Sequence, residues 1–170
     1  MSDVFSFPNP VNEKAARTVA AGVLVIAVVA LATQWLWLSA ILAAGFLLRV
    51  LSGPTLSPLG QLATRVVAPR LGAAKLVAGP PKRFAQAIGL TVTGAAAIAW
   101  FGFGATAVTN VLLALIVVAA GLESILAVCL GCIVFGYLMK VGLVPVETCE
   151  ACNDISLRYR QAGNAAKLPT

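Results

Sequence analysis

The fold is decided by a run of 31 residues without a charged side chain, Thr18–Leu48, which reads TVAAGVLVIAVVALATQWLWLSAILAAGFLL. A single helix of this length would measure about 46 Å at 1.5 Å per residue. That exceeds the hydrocarbon core of a bilayer, which is about 30 Å thick. Two antiparallel helices fit better, with a turn at Thr33-Gln34 and the indole rings of Trp35 and Trp37 at the membrane interface. The run therefore predicts a pair of transmembrane helices.

The composition of the whole chain indicates the same class of protein. Hydrophobic residues make up 60% of the chain and charged residues 11%, and the mean hydropathy is +0.96. Soluble domains carry about 25% charged residues, so an integral membrane protein is predicted. The length fits one membrane domain, residues 1–170. We expect the first span to act as an uncleaved signal, because no small-residue cleavage site follows a short apolar stretch.

Two further apolar stretches follow the first pair of helices and complete a four-helix pattern. Between the two pairs, Ser57-Pro58 is typical of a helix start. Leu59, Leu62 and Val66 then recur at helical spacing, which predicts a short amphipathic helix in the headgroup region at 57–68. The predicted fold class is all-α and integral to the membrane. Its four transmembrane helices are expected at about 12–33, 35–52, 84–103 and 105–127.

All twelve lysines and arginines fall on one side of this four-helix arrangement. The positive-inside rule then places both termini and the cysteine-containing tail, residues 128–170, on the cytoplasmic side. Six of the twelve lie between the second and third spans, where contact with lipid headgroups is predicted. These six are Arg49, Arg65, Arg70, Lys75, Lys82 and Arg83. No nucleic-acid partner is expected from the net charge of +6, because no aromatic-basic platform accompanies it.

The length of the last apolar stretch, 105–143, leaves a five-span alternative open. A break at Gly121 would create a fifth span and place Cys149 and Cys152 outside the cell. That arrangement would also export four basic residues, so the four-span arrangement is favoured. In the four-span arrangement the last helix either continues beyond the bilayer or bends at Gly131 and lies along the surface.

The four cysteines of the chain form two C-x-x-C pairs near its end. Cys129 and Cys132 are separated by sixteen residues from Cys149 and Cys152. This spacing is typical of a four-thiolate zinc site, and the absence of histidine argues against haem and against mixed Cys-His sites. In a reducing cytoplasm, paired cysteines are more often metal ligands or redox-active thiols than structural disulfides.

Two other interpretations of the cysteines stay open. A redox or sulfur-carrying role requires thiolates stabilised by a helix N-terminus or a nearby cation. Cys129 and Cys132 are expected late in a helix, at the unfavourable end of its dipole, unless Gly131 restarts the helix. The other interpretation is that all four are reduced thiols that act as small apolar residues.

Glu123 is the only acid inside an apolar run, and it is the candidate intramembrane acid. A charge at the bilayer centre costs about 2.5 to 3.5 kcal/mol on insertion scales. An ion pair with a basic residue of the central loop is favoured over a proton relay. On an unbroken helix Glu123 would face about 120° away from Cys129, so it is a poor candidate for activating that thiol.

Four short motifs resemble an uncharacterised family of small bacterial four-helix integral membrane proteins. They are Val11-Asn12-Glu13, Ser57-Pro58-Leu59, Pro81-Lys82-Arg83-Phe84, and a glutamate six residues before Cys-Leu-Gly-Cys at 129–132. The resemblance covers almost the whole chain. It implies the topology and the thiol motif, and it implies a location in the bacterial cytoplasmic membrane.

The function predicted first is that of a membrane scaffold or docking subunit whose cytoplasmic end is folded around zinc held by the four cysteines. The alternative is a membrane thiol–disulfide oxidoreductase or sulfur-transfer protein. It would act with a thioredoxin-like or sulfurtransferase partner. A transporter is a weaker third interpretation, because no inverted repeat or polar site in mid-membrane is evident. The sequence leaves open whether the protein is an enzyme.

Overall fold

The computed structural model describes residues 11–72, 75–77 and 79–142, and within them the fold is all-α apart from one short strand pair. Helix α3 comprises three consecutive segments, Pro58–Leu62, the π-helical Ala63–Val67, and Ala68–Arg70. The other helices are α1 (Glu13–Thr33), α2 (Leu38–Ser52), α4 (Gly79–Phe103), α5 (Thr106–Leu126) and α6 (Leu130–Lys140). Strand β1 (Val11–Asn12) pairs antiparallel with β2 (Leu76–Val77).

Three of these helices, α1, α4 and α5, are long and apolar enough to cross a membrane. Large aliphatic side chains on them are exposed, among them Val25, Ile98 and Val111, each with more than 60% of its surface accessible. Such a surface suits a lipid environment and not water. The structure therefore indicates a membrane protein. Helix α2 is also apolar, but its 15 residues measure only about 22 Å.

The helix boundaries depart from the predicted ones mainly at α3 and α4. Helix α4 begins at Gly79, five residues before the predicted start at 84. Prolines 80 and 81 belong to its first turn, where a missing backbone N–H costs no hydrogen bond. Helix α3 continues to Arg70 instead of ending at 68, since Pro69 lies in its last segment. The segment predicted as an amphipathic helix is thus helical throughout.

The helices pack as neighbours in an antiparallel bundle, α1 against α5, α2 against α4, and α4 against α5. Small residues set the distance between them. The ring of Phe46 in α2 lies directly over Gly89 in α4, where an added Cβ would overlap it. Alanines 27 and 30 of α1 have no exposed surface. Close backbone approach of this kind is how membrane helices gain packing energy without a hydrophobic driving force.

Two basic side chains at the start of α1 bind the C-terminal ends of other helices. Lys14 Nζ donates to the carbonyl of Leu71 at 2.6 Å, just after α3. Arg17 donates to the carbonyls of Ser124 at 3.0 Å and Ile125 at 3.1 Å, at the end of α5. The last carbonyls of a helix have no partner within it, and they carry partial negative charge. These bonds hold the start of α1 and the C-terminal ends of α3 and α5 together at one end of the bundle, which is called the basic end below.

The opposite end of the bundle has aromatic and amide side chains. The stacked rings of Trp35 and Trp37 lie 6.4 Å apart between α1 and α2. Asn110 of α5 donates to the side chain of Gln34 at 3.3 Å, which ties this turn to the next pair of helices. No charged side chain lies in the described turns here, residues 34–37 and 104–105.

The last apolar stretch is interrupted at a point where it contains no glycine or proline, residues 124–130. Helix α5 ends at Leu126, and Ala127 adopts a left-handed conformation with φ 58°. Helix α6 then starts at Leu130, so the bend predicted at Gly131 lies three to four residues earlier. The helix is also continuous through Gly121, and α6 measures only about 16 Å. The described part of the chain therefore gives no support to a fifth span that starts at Gly121.

Candidate functional site

The pair Cys129 and Cys132 lies at the N-terminus of α6, where Cys129 is the N-cap residue. Its sulfur accepts a hydrogen bond from the backbone N–H of Cys132 at 3.3 Å. The two Sγ atoms lie 2.7 Å apart, and both side chains are half-buried. The three-residue spacing therefore brings the two thiols together, and it does so at a helix start.

This position corrects the expectation that the pair lies late in a helix. The break at Ala127 ends α5 before Cys129, so the thiols face the N-terminal end of a new helix dipole. The free N–H groups and partial positive charge of that end stabilise a thiolate. The unfavourable dipole was the main sequence argument against reactive thiols, and the structure removes it.

The two thiols are electrostatically unequal. The hydrogen bond from the Cys132 thiol lowers the pKa of Cys129, and the Lys82 charge and the Cys132 backbone amide lower it further. Burial and the Glu123 carboxylate act in the opposite direction. The pKa of Cys132 is raised, because this thiol holds the shared proton and is also partly buried. Of the two thiols, Cys129 is thus the one that loses its proton more readily.

A buried ion pair lies close to the thiols. Lys82 Nζ and Glu123 Oε1 are 2.5 Å apart, and 9% and 17% of their side chains are exposed. The ion pair expected for Glu123 therefore forms, with Lys82 at the start of α4. Glu123 faces the same region as Cys129 because α5 has ended between them. The Glu123 charge raises the pKa of the Cys129 thiol, so Glu123 does not activate this thiol.

Two cavities flank this polar cluster. One, of about 290 Å³, is lined by Glu123, Cys129 and aliphatic residues of α1, α4 and α5. The other, of about 250 Å³, lies nearer to α3 and is lined by Arg49 and Lys82. Gln86 borders both and accepts a hydrogen bond from Arg49 Nε at 2.9 Å.

The six basic residues predicted to contact headgroups divide into two groups. Arg65, Arg70 and Lys75 are exposed, with Lys75 bound to Glu13 at 2.8 Å. Arg49 and Lys82 are only 5% and 7% exposed, and their contacts lie inside the protein. Arg83 belongs to the exposed group, and its Nε donates to the carbonyl of Val50 at 3.1 Å. The exposed basic residues are thus the ones that can contact lipid headgroups at the surface.

The predicted zinc ligands are only partly within the described residues. Cys149 and Cys152 lie outside them, so the shared four-cysteine site stays a prediction. In residues 11–72, 75–77 and 79–142, no group of three or more His, Cys, Asp or Glu side chains is placed to hold a metal ion. The half-site formed by Cys129 and Cys132 is present as a thiol pair.

Gln86 and Arg17 are two members of the polar framework that the sequence prediction missed. Gln86 is a polar residue early in the apolar run 84–103, and this isolation was a usable signal. The sequence around Arg17 does not indicate that this residue binds the end of α5, because its partners lie more than a hundred residues away.

Comparison with known proteins places this chain in a family. No curated protein and no solved structure matches the chain. The model of one protein family matches residues 11–140, which include both strands, all six helices and the Cys129–Cys132 pair. This match covers more than half of the chain, and it agrees with the resemblance carried by the four motifs. The chain therefore belongs to the family described as domain of unknown function DUF4395.

Proposed function

We propose that this protein is a membrane thiol–disulfide oxidoreductase whose working thiols are Cys129 and Cys132. The observation that carries the proposal is the position of Cys129 at the N-cap of α6, with its sulfur 2.7 Å from that of Cys132. A thiol with a lowered pKa at a helix start, with a second thiol three residues later, is typical of proteins that exchange disulfides. The partner is a soluble protein that carries a disulfide or sulfane sulfur, such as a thioredoxin-like protein or a sulfurtransferase.

The proposed frame is a four-span bundle in the bacterial cytoplasmic membrane. Helices α1, α4 and α5 have the length and apolar character of spans, and the shorter α2 spans where the bilayer thins locally, with the exposed Trp37 at one interface. Helix α3 then lies in the headgroup region, with Arg65 and Arg70 exposed. The basic end faces the cytoplasm, with both termini and the thiols.

The proposed reaction has two steps in which atoms and electrons balance. The Cys129 thiolate attacks one sulfur of the partner disulfide, and the other partner sulfur leaves as a thiolate and takes up a proton. The Cys132 thiol then loses its proton, and its thiolate attacks Cys129 Sγ, which releases the first partner sulfur as a thiolate. The partner disulfide gains two electrons, and the Cys129–Cys132 pair becomes a disulfide. The reverse sequence oxidises a partner dithiol.

The sulfur-transfer form of the proposal uses the same nucleophile. The Cys129 thiolate attacks the outer sulfur of a partner persulfide, and the partner sulfur leaves as a thiolate. Cys129 then carries the persulfide. The half-buried position of the pair limits the access of water and small thiols to either intermediate.

The proposal is tested by trapping. In Cys132→Ser the resolving thiol is absent, so we expect a stable mixed disulfide between Cys129 and a soluble partner, visible on non-reducing gels and identified by mass spectrometry. Cys129→Ser is the matched control and should trap nothing. With purified protein in nanodiscs, oxidised thioredoxin serves as the probe and should become reduced. If neither variant traps a partner and the pair exchanges no electrons with the probe, the proposal is wrong.

A zinc-folded docking subunit is the second candidate, and the adjacency of the two thiols also favours it. Two sulfurs on one helix end supply half of a tetrahedral thiolate site, and Cys149 and Cys152 would supply the rest. Protein purified without a reducing agent would then contain one zinc per chain. Each of the four single Cys→Ser variants would lose it equally. Unequal variants and metal-free protein would support the oxidoreductase instead.

A further inference from the structure

Arg49, close to the end of α2, is a buried guanidinium with unused donors. Only 5% of its surface is exposed. Its Nε donates to Gln86 Oε1, and the guanidinium carbon lies 4.5 Å from the centroid of the Phe46 ring. Among the described residues its two terminal nitrogens have no hydrogen-bond acceptor. Burying such a group is costly unless a counter-charge accepts these bonds.

The second cavity, of about 250 Å³, lies against this guanidinium. Its walls are largely aliphatic and come from α1, α2, α3, α4 and both strands. The uncharged polar side chains on its wall are those of Asn12, Thr64 and Gln86. A cavity with one cationic corner and apolar walls accommodates a ligand with one anionic group and an apolar body.

The charges around the cavity define the charge of that ligand. Lys82 pairs with Glu123 at 2.5 Å, and the Glu123 carboxylate also attracts Arg49, so the buried groups Arg49, Lys82 and Glu123 together keep one net positive charge. One net positive charge suits a monoanion better than a dianion. The free edge of the planar guanidinium, formed by its two terminal nitrogens, also matches the two oxygens of a carboxylate or phosphodiester.

We propose that the cavity between α2, α3 and α4 is a binding site for a monoanionic oxyanion carried on an apolar body. Arg49 is the anchor, and Gln86 is a positioning residue that accepts from its Nε and so holds the guanidinium at the cavity wall. Two sources share this chemistry, the phosphodiester of a membrane lipid and the carboxylate of a free aliphatic acid. The site is separate from the thiols and does not depend on their function.

The test uses the full chain in a neutral detergent and counts bound probe by native mass spectrometry. The probes are dihexanoyl phosphatidylglycerol and octanoate, and octanol is the uncharged control. We expect one of the two anions to bind at one per chain, and octanol not to bind. Binding of the first identifies a lipid phosphodiester site, and binding of the second identifies a carboxylate site.

Three variants locate the binding. Arg49→Gln should weaken it roughly tenfold to hundredfold, the loss expected for charge-assisted hydrogen bonds. Thr64→Phe places a ring in the cavity while keeping the guanidinium, and it should abolish binding even if Arg49→Gln fails to fold. Lys140→Gln removes an exposed charge at the end of α6, away from the cavity, and should leave binding unchanged. Binding of neither anion, or equal binding in the parent and Thr64→Phe, would overturn the proposal.

Discussion

Cys129 has two roles at one atom, because its sulfur caps the first turn of α6 and is also the proposed nucleophile. An N-cap side chain accepts a hydrogen bond from the third residue of the helix, and a thiolate accepts it better than a thiol. Formation of the thiolate and stabilisation of the helix start therefore favour each other. The neighbouring Lys82–Glu123 pair adds two opposite influences, since Lys82 lowers and Glu123 raises the pKa of Cys129.

The residue-scale prediction concerns the pH at which Cys129 reacts. Alkylation by iodoacetamide follows the thiolate, so peptide-resolved mass spectrometry should give a lower midpoint pH for Cys129 than for Cys132. Lys82→Met removes a charge that stabilises the thiolate and should raise the midpoint of Cys129. Glu123→Gln removes a charge that opposes it and should lower the midpoint.

The control for this prediction is Lys75→Met, which removes a cation that pairs with Glu13 at the protein surface. In this variant the midpoint pH for alkylation of Cys129 should equal that in the parent protein. The Lys82 and Glu123 variants each leave one partner of a buried pair alone, so their folding is checked first by thermal unfolding. If the midpoint of Cys129 moved in the same direction in Lys82→Met and in Glu123→Gln, the assigned effects of the two charges would be contradicted.

At the scale of elements, the position of the thiol pair depends on how α6 packs on α4. Gly131 lies against Ala85, and the rings of Phe84 and Phe135 are 5.5 Å apart. An added Cβ at Gly131 would overlap the Ala85 Cβ and lie 2.5 Å from its Cα. Contact of this kind allows only glycine, so the start of α6 is held against the start of α4.

The element-scale prediction compares two glycines of α6. Gly131→Ala should destabilise the protein by about 1–3 kcal/mol, because the clash is with backbone as well as with a side chain. Gly136→Ala is the matched control, since its added Cβ meets no atom within 4 Å. This control should be neutral or stabilising by about 0.5–1 kcal/mol. Thermal unfolding in detergent measures both, and equal effects would disprove the packing argument.

The sequence predicted the long elements well and the short connection poorly, for physical reasons. Apolar runs of about twenty residues without charge define α1, α4 and α5 almost independently of their neighbours. The end of α5 is different, because residues 124–130 contain no glycine or proline to break a helix. Ala127 takes φ 58° where α6 packs on α4 at Gly131 and Arg17 binds the last carbonyls of α5. These contacts are tertiary, and no local pattern encodes them.

The same reasoning explains the candidate site. That Cys129 and Cys132 lie side by side follows from their spacing alone, and an ion pair for Glu123 follows from its isolation in an apolar run. The helix start at Cys129 and the burial of Arg49 depend on the arrangement of four helices. The chemistry of the thiols was therefore misjudged at the one point, the helix dipole, that tertiary structure decides.

At the scale of the whole molecule, the two ends of the bundle carry different types of side chain. The basic end holds the charged side chains of α1, α3 and α4, whereas the other end has the stacked Trp35 and Trp37 and the exposed Phe103. Membrane proteins place basic residues on the cytoplasmic side and aromatic residues at both interfaces. The proposed four-span topology therefore puts residues 35 and 103 outside the cytoplasm and the thiols inside it.

The prediction at this scale is tested with single cysteines in a background that lacks the native ones. Trp35→Cys and Phe103→Cys should react with a membrane-impermeant maleimide on intact cells. Arg65→Cys and Tyr137→Cys should react only after permeabilisation, because a positively charged end is retained in the cytoplasm. All four chosen residues are exposed, so burial does not protect any of them. If α2 did not span the membrane, residues 35 and 65 would be labelled alike. The reverse pattern at all four positions would place the thiols outside and exclude a cytoplasmic redox partner.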